Sequence, residues 1–205
     1  MAAIITPENL TDWLGITDTG DDTNIAIAVA SANDAVVAYC GRSFEKVTTA
    51  TARVFEPRSC TVVDVDDIWD TTGIAVATDG GDDGVYEQTW TASDYILEPL
   101  NARKHGLDWP YETIRACRGL TFPEYNKRRA SVQVTARWGW AVIPEPVFNA
   151  TLMKAARLFS RKDSPDGVLG GFSDLGPVRV SLREDPDLQL LLANYGRAST
   201  RVLIA

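Results

Sequence analysis

Three groupings in this 205-residue chain carry side chains suited to chemistry. Asp64 and Asp66 lie two residues apart in a β-like stretch, which projects both carboxylates from one strand face, with Asp67 and Asp70 close behind. Carboxylates gathered in this way are what a divalent ion or a general acid/base pair requires, and the chemistry would be metal-dependent hydrolysis. Acidic residues at strand ends are also commonly just solvated. His105 is the one imidazole, so any nucleophile-and-imidazole mechanism must use it. It stands in Asn101-Ala102-Arg103-Lys104-His105-Gly106, a polar loop beside two cations, and no Gly-x-Ser-x-Gly elbow accompanies it. Lys127-Arg128-Arg129, with Phe122 and Tyr125 upstream, combines cations and aromatics as a nucleic-acid surface does. Three charges in a turn before a strand fit plain solvation equally well.

Other patterns point away from bound ions and cofactors. The acidic turn Asp18-Thr19-Gly20-Asp21-Asp22 lacks the alternating Asp order and the Glu at position twelve of a calcium loop, so helix capping is its better account. Asp79-Gly80-Gly81-Asp82-Asp83-Gly84 has neither the Lys-Ser/Thr ending nor the following helix of a phosphate-binding loop, and reads as a hairpin tip. Cys40, Cys60 and Cys117 are too few and too far apart for a disulfide scaffold or a metal knuckle, and read as small buried hydrophobes. No cofactor or metal is expected, and the chain reads as a non-enzyme.

The elements that position these residues change character along the chain. Thr6-Pro7-Glu8 opens a short helix through Leu10, Trp13 and Leu14 that ends at Gly15. A second helix over 23–40 repeats Ile25, Val29, Ala32, Val36 and Tyr39 on one side and closes at Gly41. From 48 to about 118 the period is that of strands, at 49–56, 61–65, 74–78, 85–90, 95–97 and 113–117. Strand 131–138 alternates Val132, Val134, Ala136 and Trp138 with Ser131, Gln133, Thr135 and Arg137. After the Gly139-Trp140 corner and two prolines, a helix from about Glu145 places Phe148, Leu152, Ala155 and Phe159 on its core face, with Lys154, Arg157 and Arg161 opposite. A glycine-rich loop follows at 163–177, then a strand at 178–183. A short helix carrying Leu188, Leu191, Leu192 and Tyr195 comes last, with an apolar tail. The predicted fold class is α+β, a small helical bundle from both chain ends with an inserted antiparallel β domain. Its segments are 1–47, 48–130 and 131–205.

Composition bounds the reading. A hydrophobic share of 45% is ample for a packed core. No run of eighteen apolar residues lacks a charge, and no basic region leads an apolar N-terminal segment, so neither a membrane span nor a signal peptide is expected and synthesis is taken to be cytosolic. The net charge of −8 disfavours wrapping of nucleic acid by the whole surface. Residues 1–100 hold four Lys/Arg against eighteen Asp/Glu, whereas 101–205 hold sixteen against ten. That polarity suits head-to-tail contacts between copies, or is incidental if the halves interleave.

The order of parts, with Ala38-Tyr39-Cys40-Gly41-Arg42, then Trp138-Gly139-Trp140-Ala141-Val142-Ile143-Pro144-Glu145-Pro146-Val147 leading into Ala155-Ala156-Arg157-Leu158, resembles the head-to-tail connector (adaptor) proteins of long-tailed bacteriophages. The resemblance implies a virion structural protein made in the host bacterial cytoplasm. Copies would form a ring, usually of twelve, in the neck between the portal protein and the stopper or tail. Double-stranded DNA would pass through its lumen without specific binding. It further implies that the C-terminal helix and tail reach the portal, through Leu188, Leu192, Tyr195, Arg197, Arg201, Val202, Leu203 and Ile204. The stripe Lys154, Arg157 and Arg161 would meet Asp21 and Asp22 of a neighbour, which a heterologous ring contact permits. Another neck component, a stopper or tail terminator, is the nearest alternative, and a stopper would be nearly all-β. A hydrolase using Asp64 and Asp66 is the alternative of another class.

Overall fold

The computed structural model describes residues 3–123, 130–163, 168–169, 178–179 and 186–197. The chain is α+β, with helices at both ends and a seven-stranded antiparallel sheet between them. It divides into two compact units, Met1–Arg42 with Ile143–Ala205, and Ser43–Val142.

In the helical unit, α1 (Pro7–Leu14) begins where the Thr6 N–H donates to Asn9 Oδ1 at 2.9 Å and ends at Gly15, whose φ of 68° is left-handed. Asn33 on α2 (Asp22–Cys40) holds the segment before α1. Its Oδ1 accepts the Ile4 and Ile5 N–H groups, each at 3.1 Å, and its Nδ2 donates to the Ile5 carbonyl at 3.1 Å. Ile25, Ala28, Val29, Ala32, Val36 and Cys40 form the buried side of α2. Ala26, Ile27 and Ala30 lie exposed, so the helix is apolar on nearly every side. By length and composition such a helix could cross a membrane, with mean hydropathy 1.2 over an 18-residue window. Here α2 packs on α1 and on α3 (Glu145–Ser160).

The buried face of α3 is Val147, Ala150, Thr151, Leu152 and Ala155, rotated from the predicted one, and Phe148 and Phe159 are only half-buried. Small residues win that face because they let α2 and α3 approach closely, and Thr151 hides its hydroxyl by donating to the Val147 carbonyl at 2.7 Å. The last helix, α4 (Pro186–Leu192), packs on α3. The 163–177 loop falls mostly outside the described residues, as does much of the predicted 178–183 strand. Of these, Val168–Leu169 and Val178–Arg179 form a two-stranded antiparallel ladder.

The β unit is organised on β3 (Val62–Thr78), a single 17-residue strand where the sequence predicts two short ones. Its first part pairs with β2 (Pro57–Ser59) and β8 (Tyr111–Ala116), and its second part with β9 (Val132–Trp138) and β4 (Gln88–Trp90). The edges are β1 (Thr51–Phe55), paired to β9, and β5 (Tyr95–Glu98), paired to β8. Sequence order groups strand 132–138 with the helices that follow it, yet its ladder partners are β1 and β3 and it belongs to the β unit. Its alternation is as read, with Val132, Val134, Ala136 and Trp138 all buried. A separate hairpin, β6 (Arg103–Lys104) and β7 (Leu107–Asp108), turns at His105-Gly106 with φ of 55° and 78°, the positive pair a two-residue hairpin turn requires.

The sheet core joins Val63, Val65, Ile68, Val76, Ile114, Val132, Val134, Trp90, Phe122 and Trp138. Its buried indoles keep their donors partnered. Trp138 Nε1 reaches the Thr51 carbonyl at 2.9 Å, and Trp90 Nε1 reaches Thr78 Oγ1 at 3.1 Å.

Candidate functional site

Each acidic side chain of β3 is held by its own partner. Asp64 takes Arg58 at 3.0 Å and the Thr113 hydroxyl at 3.2 Å, and Asp66 takes Arg53 at 2.7 Å. Asp70 takes Arg137 at 2.5 Å. Asp67, 3% exposed, accepts from Trp140 Nε1 at 2.8 Å. Arginines thus neutralise three of the four carboxylates one at a time, and the arrangement is that of a sheet surface rather than a set of ligands turned toward one ion. The Thr72 backbone N–H and hydroxyl, with the Arg137 guanidinium, hold the Asp70 carboxyl below its usual range.

Among the described residues, the carboxylates that converge are Asp79, Asp83 and Glu87, with ligand oxygens within 4.8 Å of one another. Asp79 has a structural task there. It accepts the N–H groups of Gly81 at 3.1 Å, Asp83 at 3.3 Å and Gly84 at 2.7 Å, which shapes the loop between β3 and β4. Burial pushes its carboxyl up, and those N–H groups together with that of Asp82 outweigh the push and leave it below the usual range. His105 is exposed in the β6–β7 turn, edge-on to Trp109 at 6.1 Å. Phe122, expected on a basic aromatic surface, is 2% exposed and stacks on Trp90 at 4.5 Å. Tyr125, Lys127, Arg128 and Arg129 lie outside the described residues.

The residues that the sequence reading assigns to contacts with other chains belong to the helical unit. Lys154 is half-buried and lines a groove with Val36, Tyr39, Leu188, Gln189 and Leu192 from α2 and α4. Arg157, Arg161 and Asp22 are exposed. Asp21 is ion-paired with Lys162 of its own chain, and that ammonium first, then Asn24, holds the Asp21 carboxyl below its usual range.

The predicted portal-facing residues separate into three groups. Leu192 and Tyr195 are 4% and 3% exposed, part of their own unit's core, and burial pushes the Tyr195 hydroxyl up. Leu188 is half-buried on the groove, and Arg197 is tied back through its N–H to the Cys40 carbonyl at 3.0 Å. Arg201, Val202, Leu203 and Ile204 fall outside the described residues. Sequence reasoning passes over Leu190, 78% exposed on α4, and Ile27 and Trp13, 60% and 59% exposed on α2 and α1. A signal for Leu190 is present, since the run Leu188 to Leu192 is too apolar for one helix side to bury.

No protein-family model matches the chain, and no curated protein matches it. Its fold is similar to that of a chain in a solved neck of an empty GTA particle computed with C6 symmetry. The likeness covers 97% of this chain and 94% of that one, with a TM-score of 0.52 at 12% identity.

Proposed function

We propose that this protein is a structural head-to-tail connector, an adaptor in the neck of a phage-like virion. The observation that carries the reading is the likeness of fold over 97% of the chain to a chain from the neck of a GTA particle, a phage-like gene transfer agent. Sequence motifs and fold thus lead to one class of protein by separate routes. Among the described residues, four helices in addition to a seven-stranded sheet favour an adaptor over a stopper, for which a nearly all-β chain is expected. The separate neutralisation of Asp64 and Asp66 supports a role in joining rather than in hydrolysis.

In this reading copies form a ring, of twelve by the family's pattern, between portal and stopper or tail, and the ring bounds the DNA channel. The exposed Arg157 and Arg161 face the acid-rich N-terminal half of the next copy, with Asp22 as the accessible partner there. The outer side of α4 around Leu190 and the segment 198–205 reach the portal. The net charge of −8 suits a conduit through which DNA must slide without sticking.

Electron microscopy and native mass spectrometry of the protein mixed with portal test the proposal, with a closed ring seated on the portal expected. A compact monomer that ignores portal would overturn it. Deletion of 198–205 is expected to abolish attachment while circular dichroism stays that of the full chain, and attachment retained after deletion would remove the tail from the interface.

A further inference from the structure

We propose that the groove between α2, α3 and α4 is the seat for α1 of a second copy of this chain, with Trp13 of that copy entering the groove and its Asp12 pairing with Lys154. The contact rests on the connector reading and is the one that closes the ring. The groove wall is apolar over most of its extent, formed by Val36 and Tyr39 of α2, Ala150 of α3, and Leu188 and Leu192 of α4. Lys154 stands half-buried in the same wall. Among the described residues no carboxylate pairs with its ammonium, whereas Lys104 and Lys162 each hold an acid of their own chain. A cation drawn partly out of water into an apolar wall is costly to leave unmatched. The occupant that suits this groove is therefore a large apolar group with a carboxylate beside it.

The outer side of α1 presents that combination. Trp13 is 59% exposed, and Asp12 next to it is exposed as well. Residues 1–41 hold six Asp/Glu and no Lys or Arg, so the segment brings no cation to repel Lys154. An indole is also the side chain best suited to anchor such a contact, because it buries roughly 150–250 Å² on a rigid ring. The two surfaces lie on different sides of α2. Asn33, which clasps the segment before α1, and Ala35, which lines the groove, are two residues apart and so stand about 160° apart round the helix. One copy can then offer α1 to one neighbour and its groove to another, as a head-to-tail ring requires.

The test uses the full-length protein mixed with portal, half of the copies isotopically heavy, and a carbodiimide that couples amines to carboxylates at zero length. Peptide mapping is expected to find Asp12 joined to Lys154 between a light and a heavy copy. Trp13→Ala, folded by circular dichroism, is expected to weaken assembly at least about 30-fold. Lys154→Glu is expected to weaken it about 10-fold or more, and adding Asp12→Lys to that variant is expected to restore most of the loss. A ring that seats on the portal as readily with Trp13→Ala, Lys154 coupled only to acids other than Asp12, or no recovery in the charge-swapped variant would overturn this contact and leave the connector reading standing. Copies that join through Trp13 and Lys154 yet ignore portal would overturn the connector reading and leave this contact standing. A chain that stays monomeric would overturn both.

Discussion

Replacing Gly139 with alanine is expected to destabilise the β unit far more than a methyl added at an open glycine. A Cβ built on Gly139 lies 1.5 Å from the Glu45 carbonyl oxygen and 2.7 Å from its carbon, and the backbone φ is +105°. Both obstacles are backbone, so nothing can swing aside. The strand end must retreat, and three contacts retreat with it. These are the Gly139 N–H to the Asp67 carbonyl at 2.6 Å, the Trp140 N–H to the Glu45 carbonyl at 3.3 Å, and the Phe44–Trp140 ring contact at 5.4 Å. Two backbone hydrogen bonds at about 1 kcal/mol each, an aromatic pair at about 1 kcal/mol and the positive-φ cost of roughly 1–2 kcal/mol give a loss on the order of 4 kcal/mol. Thermal unfolding followed by circular dichroism should show the midpoint falling by roughly 10 °C or more. Gly15→Ala is the control. It shares a positive φ of 68° but meets nothing within 4 Å, so only about 1 kcal/mol should be lost. Equal midpoint shifts in the two variants would refute the steric argument.

Acidification should destabilise the fold over a defined window. The carboxyls of Asp21, Asp70, Asp79, Asp94 and Glu98 all lie below their unperturbed values of 3.8 for Asp and 4.5 for Glu, Glu98 chiefly through Arg115 and Asp94 chiefly through Thr91. Folded values below unfolded ones mean that this stability is present above about pH 4.5 and is lost as pH falls through the folded values, so urea midpoints should be flat from pH 7 to 5 and drop below about pH 4. Trp140→Phe leaves the buried Asp67 carboxylate without its indole donor and should cost roughly 1.5–3 kcal/mol by chemical denaturation, whereas Trp13→Phe, at an exposed indole, should change little. Lys162→Ala should lower the urea midpoint only slightly, because the Asp21–Lys162 pair is in contact with solvent, and the shift should shrink further in high salt.

Helices whose ends are written locally were legible in the sequence. Thr6-Pro7 and Gly15 bound α1, Gly41 closes α2, and the Pro144/Glu145 step opens α3. The alternation in β9 was legible for the same reason, since period and burial coincide residue by residue. The continuity of β3 was not. Asp67, Asp70 and Gly73 look like turn residues when only their neighbours in sequence are seen. What makes them strand residues is far away in the chain. Arg137 neutralises Asp70 from 67 residues along, and the Trp140 indole meets Asp67 from 73. The same long reach moves Phe122 from a supposed surface into the core, because its stacking partner Trp90 is 32 positions upstream. Of the candidate contact residues, the exposure of Arg157, Arg161 and Asp22 follows from helical periodicity. The capture of Asp21 by Lys162 depends on a spacing of 141 residues that no local pattern encodes.

The zipped corner at Lys46 and Gly139 has a kinetic consequence. The helices that precede and follow the β unit are separated by its 100 residues, and an unfolded loop of that length makes the meeting of α2 with α3 a slow, entropically costly search. Once the Lys46↔Gly139 bridge closes, the tether between Arg42 and Ile143 is a handful of residues long, and α3 is delivered to α2 as a near neighbour. Helix docking should therefore wait for the sheet to close, and a defect at the corner should delay burial of side chains it never touches.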